Sequence, residues 1–313
     1  MPTAAPKTVR VAVVQAHSVL LDLPATLAKA DMLIKQAASE GARIIVFPEA
    51  FIGGYPRGLG FGTIVGSRAP EGKALFARYH DSTVAVPGPV IAQLGQVARQ
   101  AKAHLVMGIV EKDAMHPHGT LYCTILYFGP YGALLGKHRK LKPTASERII
   151  WGEGQMPPSV VETEFGRLGG LICWENYMPL ARMALYQQGI DLYVAPTADN
   201  RESWQATIRH IACEGRCFVL ACNQFIEKKD YPPELQRWPE LQAVSEPFCR
   251  GGSAIIDPSG EYLAGPVWDK EDILVAELDL ELLVKSRFDF DVTGHYARRD
   301  LFQFAVSDAQ TKK

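Results

Sequence analysis

The chain predicts an α/β fold in which two mixed β-sheets pack face to face and helices cover their outer surfaces. Three observations carry this. Apolar, valine-rich runs alternate with helical patterns, the signature of β-α-β units whose parallel strands are covered by helices. Gly129-Pro130-Tyr131-Gly132 and Asp257-Pro258-Ser259-Gly260 separate shorter apolar runs, which adds hairpins and therefore antiparallel pairs. The amount of strand favours two packed sheets over one.

Taken in order, Val9 to Ala16 reads as a strand, Pro24 to Ser39 as a helix and Ala42 to Phe47 as a second strand after Gly41. The unit recurs as helix Val90 to Ala103 with strand His104 to Val110, helix Pro179 to Gln188 with strand Ile190 to Pro196, and helix Ser203 to Gly215 with strand Cys217 to Asn223. The hairpins pair Thr120 to Phe128 with Ala133 to Lys140, and Ser253 to Ile256 with Glu261 to Ala264. Gly53 to Thr83 and Ile226 to Arg250 read as long irregular segments, expected at the mouth of a site or at a subunit contact. No repeat or composition shift marks a boundary, so residues 1–313 are expected to form one domain, with a flexible tail from about 303 to 313.

Composition narrows the function. With 33 Lys+Arg against 34 Asp+Glu, the chain has no overall attraction for nucleic acid or an anionic membrane. No apolar run approaches the roughly 20 residues of a membrane span, and Met1 to Lys7 lacks a hydrophobic signal core. A cytoplasmic location and a small-molecule ligand are expected. The six cysteines show no CxxC pairing, so reduced thiols are expected, with Cys213, Cys217 and Cys222 as core fillers. His116-Pro117-His118 has no acidic cluster beside it to suggest a metal, and neither a Gly-x-Ser-x-Gly elbow nor a phosphate-binding glycine loop is present. Hydrolysis without cofactor or metal is the chemistry that remains.

Three segments supply reactive groups for it. Glu49 follows the apolar run Ile44 to Phe47 and Pro48, which places it past the C-terminal end of a strand, where α/β folds hold their ligands. Lys137 to Lys142 is a basic run at the end of a hairpin strand. Its alternation sets His138, Lys140 and Lys142 on one face and Arg139 and Leu141 on the other, so that one lysine points inward while an arginine engages a structural carboxylate. Cys173 ends the stretch Leu168 to Ile172 and precedes a helix begun by Pro179. A thiol at such a turn lies near backbone N–H donors, which are expected to lower its pKa from about 8.5. Base, cation and thiol are the groups needed to attack an electrophilic carbon bound to nitrogen.

The segments Phe47-Pro48-Glu49-Ala50-Phe51-Ile52-Gly53-Gly54-Tyr55-Pro56, His138-Arg139-Lys140-Leu141-Lys142-Pro143-Thr144 and Cys173-Trp174-Glu175-Asn176-Tyr177-Met178-Pro179, in that order, resemble the nitrilase superfamily of carbon-nitrogen hydrolases and its true nitrilase branch, over about Val9 to Asp300. The resemblance implies a four-layer α-β-β-α sandwich, a small nitrile as substrate, and a homo-oligomer of two or more subunits, up to spirals or filaments. It implies Glu49 as general base, Lys140 as the cation near developing charge and Cys173 as nucleophile. Glu147 matches the second carboxylate of the family. Tyr55 and Trp151 match pocket-lining positions, Trp174 and Asn200 are further candidates for substrate contact, and His295 matches a C-terminal signature. Arg299 stands where that branch commonly has proline, and the chain ends soon after, so whatever a longer extension does for assembly is expected to be absent. An amidase or carbamoylase, a cyanide-hydrating enzyme and a non-catalytic scaffold on the same fold are the competing readings.

Overall fold

The computed structural model describes residues 6–307. The first half of the chain runs β1 (Thr8–Gln15), α1 (Leu23–Ser39), β2 (Ile44–Val46), the short pair β3 (Thr63–Ile64) and β4 (Ser67–Arg68), α2 (Pro70–Asp81), β5 (Val84–Ala85), α3 (Pro89–Ala101), β6 (His104–Lys112), β7 (Leu121–Phe128) and β8 (Leu134–Arg139). The second half runs β9 (Val161–Thr163), β10 (Gly166–Gly170), α4 (Pro179–Gln187), β11 (Leu192–Pro196), α5 (Glu202–Gly215), β12 (Phe218–Cys222), β13 (Phe225–Ile226), β14 (Cys249–Ile256), β15 (Tyr262–Trp268), β16 (Asp272–Asp279) and α6 (Glu281–Asp289).

Two seven-stranded sheets result, ordered β16-β1-β2-β6-β7-β8 with β5 beside β6, and β13-β14-β12-β11-β10-β9 with β15 beside β14. Both are mixed. β1, β2 and β6 run parallel, as do β10, β11 and β12, while the hairpin strands and β16 are antiparallel. Strand periodicity explains the layering, because successive side chains leave opposite faces of a sheet. Val11, Val13, Val46, Val194 and Leu220 share the core between the sheets, whereas Ala12, Val14 and Ile45 pack with Ile34 and Leu94 of the outer helices. On the other side Tyr193 and Val219 pack with Leu185 and Ile208. The Cys222 thiol donates across the inner layer to the Val14 and Val46 carbonyls at 3.2 and 3.4 Å. Truncating a helix-facing residue such as Ile34 to alanine is expected to cost roughly 2–5 kcal/mol.

The β-α-β units and both hairpins fall where the sequence pattern places them, with ends displaced by a few residues. Three differences stand out. Gly53 to Thr83 is not wholly irregular, since α2 begins at Pro70; its helical period is masked because only Leu75 and Tyr79, one turn apart, and Gly72 are buried. The terminal β16 and α6 were not announced by the sequence, and β16 is recruited by eight-residue antiparallel pairing with β1, a contact distant in the chain. Cys213 is a partly exposed helix residue whose thiol reaches the Ser259 carbonyl at 3.2 Å, unlike the buried Cys217 and Cys222. Of the tail expected to be flexible, residues 308–313 lie outside the described residues.

Candidate active site

The three reactive segments converge at the C-terminal ends of β2, β8 and β10, where the peptide direction of each strand delivers the residue that follows it. Glu49 leaves β2 through a tight turn, with Ala50 at φ 52° and Gly53 at φ 101°. The turn lies so close to β6 that a Cβ on Gly108 would sit 2.0 Å from the Pro48 carbonyl, and one on Gly53 would sit 2.9 Å from Val110. Lys140 immediately follows β8, its N–H donating to the Cys123 carbonyl of β7 at 2.8 Å. Cys173 opens a short 3₁₀ turn after β10 with φ 53°, a left-handed conformation that costs a non-glycine residue about 1–2 kcal/mol.

Lys140 is the centre of the constellation. Its side chain is 0% exposed, and Nζ donates to Glu49 Oε1 and Glu147 Oε2, both at 2.7 Å. The same Glu147 Oε2 also accepts from the Thr144 N–H at 2.7 Å, and its Oε1 accepts from the Tyr55 hydroxyl at 2.7 Å. Glu49 is held less fully. Beyond Lys140 it meets only the Cys123 thiol, a weak donor at 3.6 Å, and its buried Oε2 has no partner. Burial therefore wins over Lys140 and pushes the Glu49 carboxyl up to about 7. Burial opposes the Lys140 charge too, but Glu49, Cys173 and Glu147 outweigh it and hold the ammonium well above the usual lysine range.

The thiol departs from expectation. Burial and the Glu49 charge raise the Cys173 pKa to about 12, instead of lowering it, because the enclosed site disfavours a second anion and the turn behind the thiol is short. Burial thus makes both Glu49 and Cys173 hold their protons more tightly than they would in water.

Residues that sequence reasoning passed over set this geometry. Glu175 is buried and accepts from the Leu141 N–H at 2.5 Å, the Ile172 N–H at 2.7 Å and His138 Nε2 at 3.1 Å. One carboxylate thereby ties the residue after Lys140 to the residue before Cys173. Asn176 closes the same turn, donating to the Leu171 and Cys173 carbonyls at 2.9 and 2.8 Å and accepting from Tyr193 at 2.7 Å. Both lie in the motif beside the thiol, where a carboxylate three residues after Ile172 is the spacing of a turn cap. In the basic run, Arg139 and Lys137 bind Glu111, Lys140 points inward, and the exposed Lys142 pairs with Glu153.

The other expected pocket residues gather here as well. A cavity of about 210 Å³ is lined by Tyr55, Arg57, Glu147, Cys173, Trp174 and Asn200, among others. It adjoins one of about 330 Å³ lined by Tyr55, Arg57, Glu147, Ile150 and Trp151. Trp151 stacks edge-on against Tyr55 at 5.6 Å, with its ring 5.9 Å from Lys140 Nζ. Trp174 is 41% exposed and its indole N–H binds Asp199 at 2.8 Å. His295 is exposed near the Asp289 carbonyl and lines neither cavity. The segment Ile226 to Arg250 packs behind the Tyr55 loop, where Glu240 accepts from the Gly60 and Gly62 N–H groups at 2.6 and 2.8 Å. A larger groove of about 630 Å³ between α1 and α3 contains none of the reactive groups.

The chain is similar to known carbon-nitrogen hydrolases over nearly its whole length. A sequence profile of the carbon-nitrogen hydrolases matches residues 10–288. A bifunctional nitrilase/nitrile hydratase of Lupinus angustifolius is 51% identical over 310 residues, covering 97% of this chain and 87% of the relative. An aliphatic nitrilase of Sinorhizobium fredii is 50% identical over 303 residues, covering 96% of each. Among solved structures, a carbon-nitrogen hydrolase from Helicobacter pylori superposes with a TM-score of 0.75 at 20% identity over 95% of this chain and 97% of the other. A Saccharomyces cerevisiae protein from branch 10 of the nitrilase superfamily gives 0.71 at 24% identity, over 93% and 97%. These last two likenesses concern the fold. With its fold, its reactive segments and these relatives in agreement, the chain belongs to the carbon-nitrogen hydrolase family, on its nitrilase branch.

Proposed function

We propose that the protein hydrolyses a small organic nitrile to the carboxylic acid and ammonia, with Cys173 as nucleophile, Glu49 as general base and Lys140 stabilising developing negative charge. The observation that carries this is the enclosed Lys140 shared by Glu49 and Glu147, with Glu147 and Cys173 lining one cavity. Glu49 takes the Cys173 proton as sulfur attacks the nitrile carbon. The nitrogen gains charge facing Lys140 and a backbone N–H beside Cys173, then takes up a proton to give a thioimidate. A water deprotonated by Glu49 adds to that carbon, ammonia leaves, and a second water cleaves the resulting thioester to the acid and the free thiol. Glu147 positions Lys140, and Tyr55 positions Glu147.

Expulsion of sulfur instead of ammonia from the tetrahedral intermediate would release an amide. The bifunctional name of the Lupinus relative favours this as a second product. General-base assistance is worth about 10²- to 10⁴-fold and each electrostatic donor about 10²- to 10³-fold. The resemblance also supports a homo-oligomer. Among the described residues no helix is long and apolar enough to cross a membrane.

Mass spectrometry of the protein mixed with a nitrile tests the assignment. A thioimidate or acyl adduct is expected on Cys173 and is absent in Cys173→Ala; an adduct on another residue overturns it. Ammonia release from a nitrile and from its amide separates this reading from an amidase.

A further inference from the structure

Behind the cavity that opens on Cys173 stands a polar group that the mechanism above does not use. β10 and β11 pair in parallel, with Leu168 opposite Leu192 and Gly170 opposite Val194. Cys173 and Thr197 are each the third residue past that last matched pair, so they emerge side by side at the strand ends. Thr197 is 0% exposed, its N–H donates to the Cys222 carbonyl of β12 at 2.8 Å, and its Oγ1 accepts from the Asp199 N–H at 2.9 Å. The residue is held from two directions. It does not line either cavity at the thiol, which sets it behind the sulfur and away from the substrate.

A hydroxyl has a proton to give as well as an oxygen to accept with, and a buried donor left unmet is costly. Among the described residues no carbonyl or carboxylate accepts from Thr197. The acceptor it meets is the Cys173 sulfur. Burial and the Glu49 charge raise the pKa of that thiol, and the hydrogen bond from Thr197 works against them by favouring the thiolate. On the nitrilase reading, sulfur carries negative charge twice: when its proton leaves before attack, and again if it is expelled from the tetrahedral intermediate. That intermediate bears a hydroxyl, an amino group and sulfur on one carbon. If the C–N bond breaks, ammonia leaves with the intermediate's hydroxyl proton and the thioester remains. If the C–S bond breaks, its electron pair goes to sulfur, and the same proton passes through Glu49 to the thiolate, giving the amide and the free thiol. A donor on the sulfur assists the second exit and not the first.

We propose that Thr197 is a further catalytic residue, whose hydroxyl donates to the Cys173 sulfur as it gains charge, easing thiolate formation before attack and biasing the later partition toward amide. This rests on the nitrilase reading and adds a determinant of its product ratio.

The test compares wild-type protein with Thr197→Val, Thr197→Ala and Thr197→Ser. One readout is the pH dependence of Cys173 alkylation by iodoacetamide, followed at that residue by mass spectrometry, since the rate tracks the thiolate. The other is kcat, KM and the acid-to-amide ratio on whichever of butanenitrile, benzonitrile and phenylacetonitrile the wild type turns over fastest. In Thr197→Val the alkylation limb is expected to move upward by about 1 pH unit, the scale of one hydrogen bond to a charged group. There kcat should fall about 10-fold with KM unchanged, and the product should shift toward acid because sulfur leaves less readily. Thr197→Ala carries the same expectation should Thr197→Val not fold, and Thr197→Ser is expected to restore both readouts. An unmoved alkylation limb in the variants without the hydroxyl overturns the inference even if kcat falls, because loss of a brace for the Asp199 turn would do that much. A shift toward amide overturns it as well, and wild-type product free of amide overturns the partition role. Neither acid nor amide from any of the nitriles overturns the nitrilase reading itself, and the alkylation limb, which needs no nitrile, still decides whether Thr197 stabilises the thiolate.

Discussion

Glu49 and Glu111 are both fully enclosed carboxylates of the first sheet, yet their surroundings drive them in opposite directions. Glu111 accepts from Arg139 at 2.6 and 3.1 Å, Lys137 at 2.5 Å and Thr124 at 2.9 Å. Burial favours its proton, but these bonds and charges win, and its pKa falls below the usual range. Glu49 has one lysine, already shared with Glu147, one weak thiol donor and an unmatched oxygen, so its pKa rises to about 7. A saturated carboxylate is locked in one charge state and braces the hairpin. An undersupplied one exchanges a proton near neutral pH, which suits the base role proposed for Glu49.

The sharpest way to break that contrast is to replace each by its amide. Glu49→Gln is expected to lower ammonia release by about 10²- to 10⁴-fold while leaving the urea midpoint unchanged or raised. Glu111→Gln is expected to leave turnover per folded molecule intact but to cost about 3–5 kcal/mol of stability, because it strands Arg139 and Lys137 against a neutral partner. If the two phenotypes were exchanged, the assignment of roles would fail.

Glu175 tests whether a saturated carboxylate can also serve the chemistry through others. Glu175→Gln keeps one acceptor oxygen but turns the other into an amide donor, so that either the Leu141 or the Ile172 N–H faces a donor, and should let Lys140 and Cys173 drift apart. A fall in kcat of about 10²-fold with little change in KM is expected, the scale associated with a 1 Å misplacement. Equal loss of kcat and thermal stability, with no change in kcat per folded molecule, would reduce Glu175 to a structural brace.

Titration gives the smaller effect, with opposite signs for the two acids. In its proposed role as base Glu49 must be unprotonated, so kcat/KM should rise with pH through about 7. Its raised pKa means the folded state holds a proton that the unfolded chain releases near 4.5. The stability Glu49 contributes is therefore present in acid and lost as pH climbs toward 7. Glu111, with its lowered pKa, contributes stability above the ordinary carboxylate range that is lost as pH falls. Cys123→Ala removes a donor that favours the Glu49 anion, and should move the activity limb slightly upward. A downward shift would mean the thiol does not stabilise that anion.

Much of the fold was legible because it is local. Valine-rich runs followed by helical periods, Pro179 at a helix start, and proline-containing turns in hairpins each carry their instruction within a few residues. Helix α2 was hidden because few of its residues are buried, and β16 because its partner β1 lies at the other end of the chain. Likewise the reactive Glu49, Lys140 and Cys173 were readable as residue types at strand ends, and the expectation that one lysine turns inward while an arginine meets a carboxylate follows from strand alternation.

By itself, then, the sequence determined the layers, the strand ends and which carboxylate, ammonium and thiol stand at them, since periodicity and residue chemistry are properties of short segments. Only the tertiary structure decided that Glu175 would join two of those segments and that burial and the Glu49 charge would raise the Cys173 pKa instead of lowering it. Each of those depends on how much water is excluded and on which donors arrive from elsewhere in the chain, and neither quantity is encoded within a single segment.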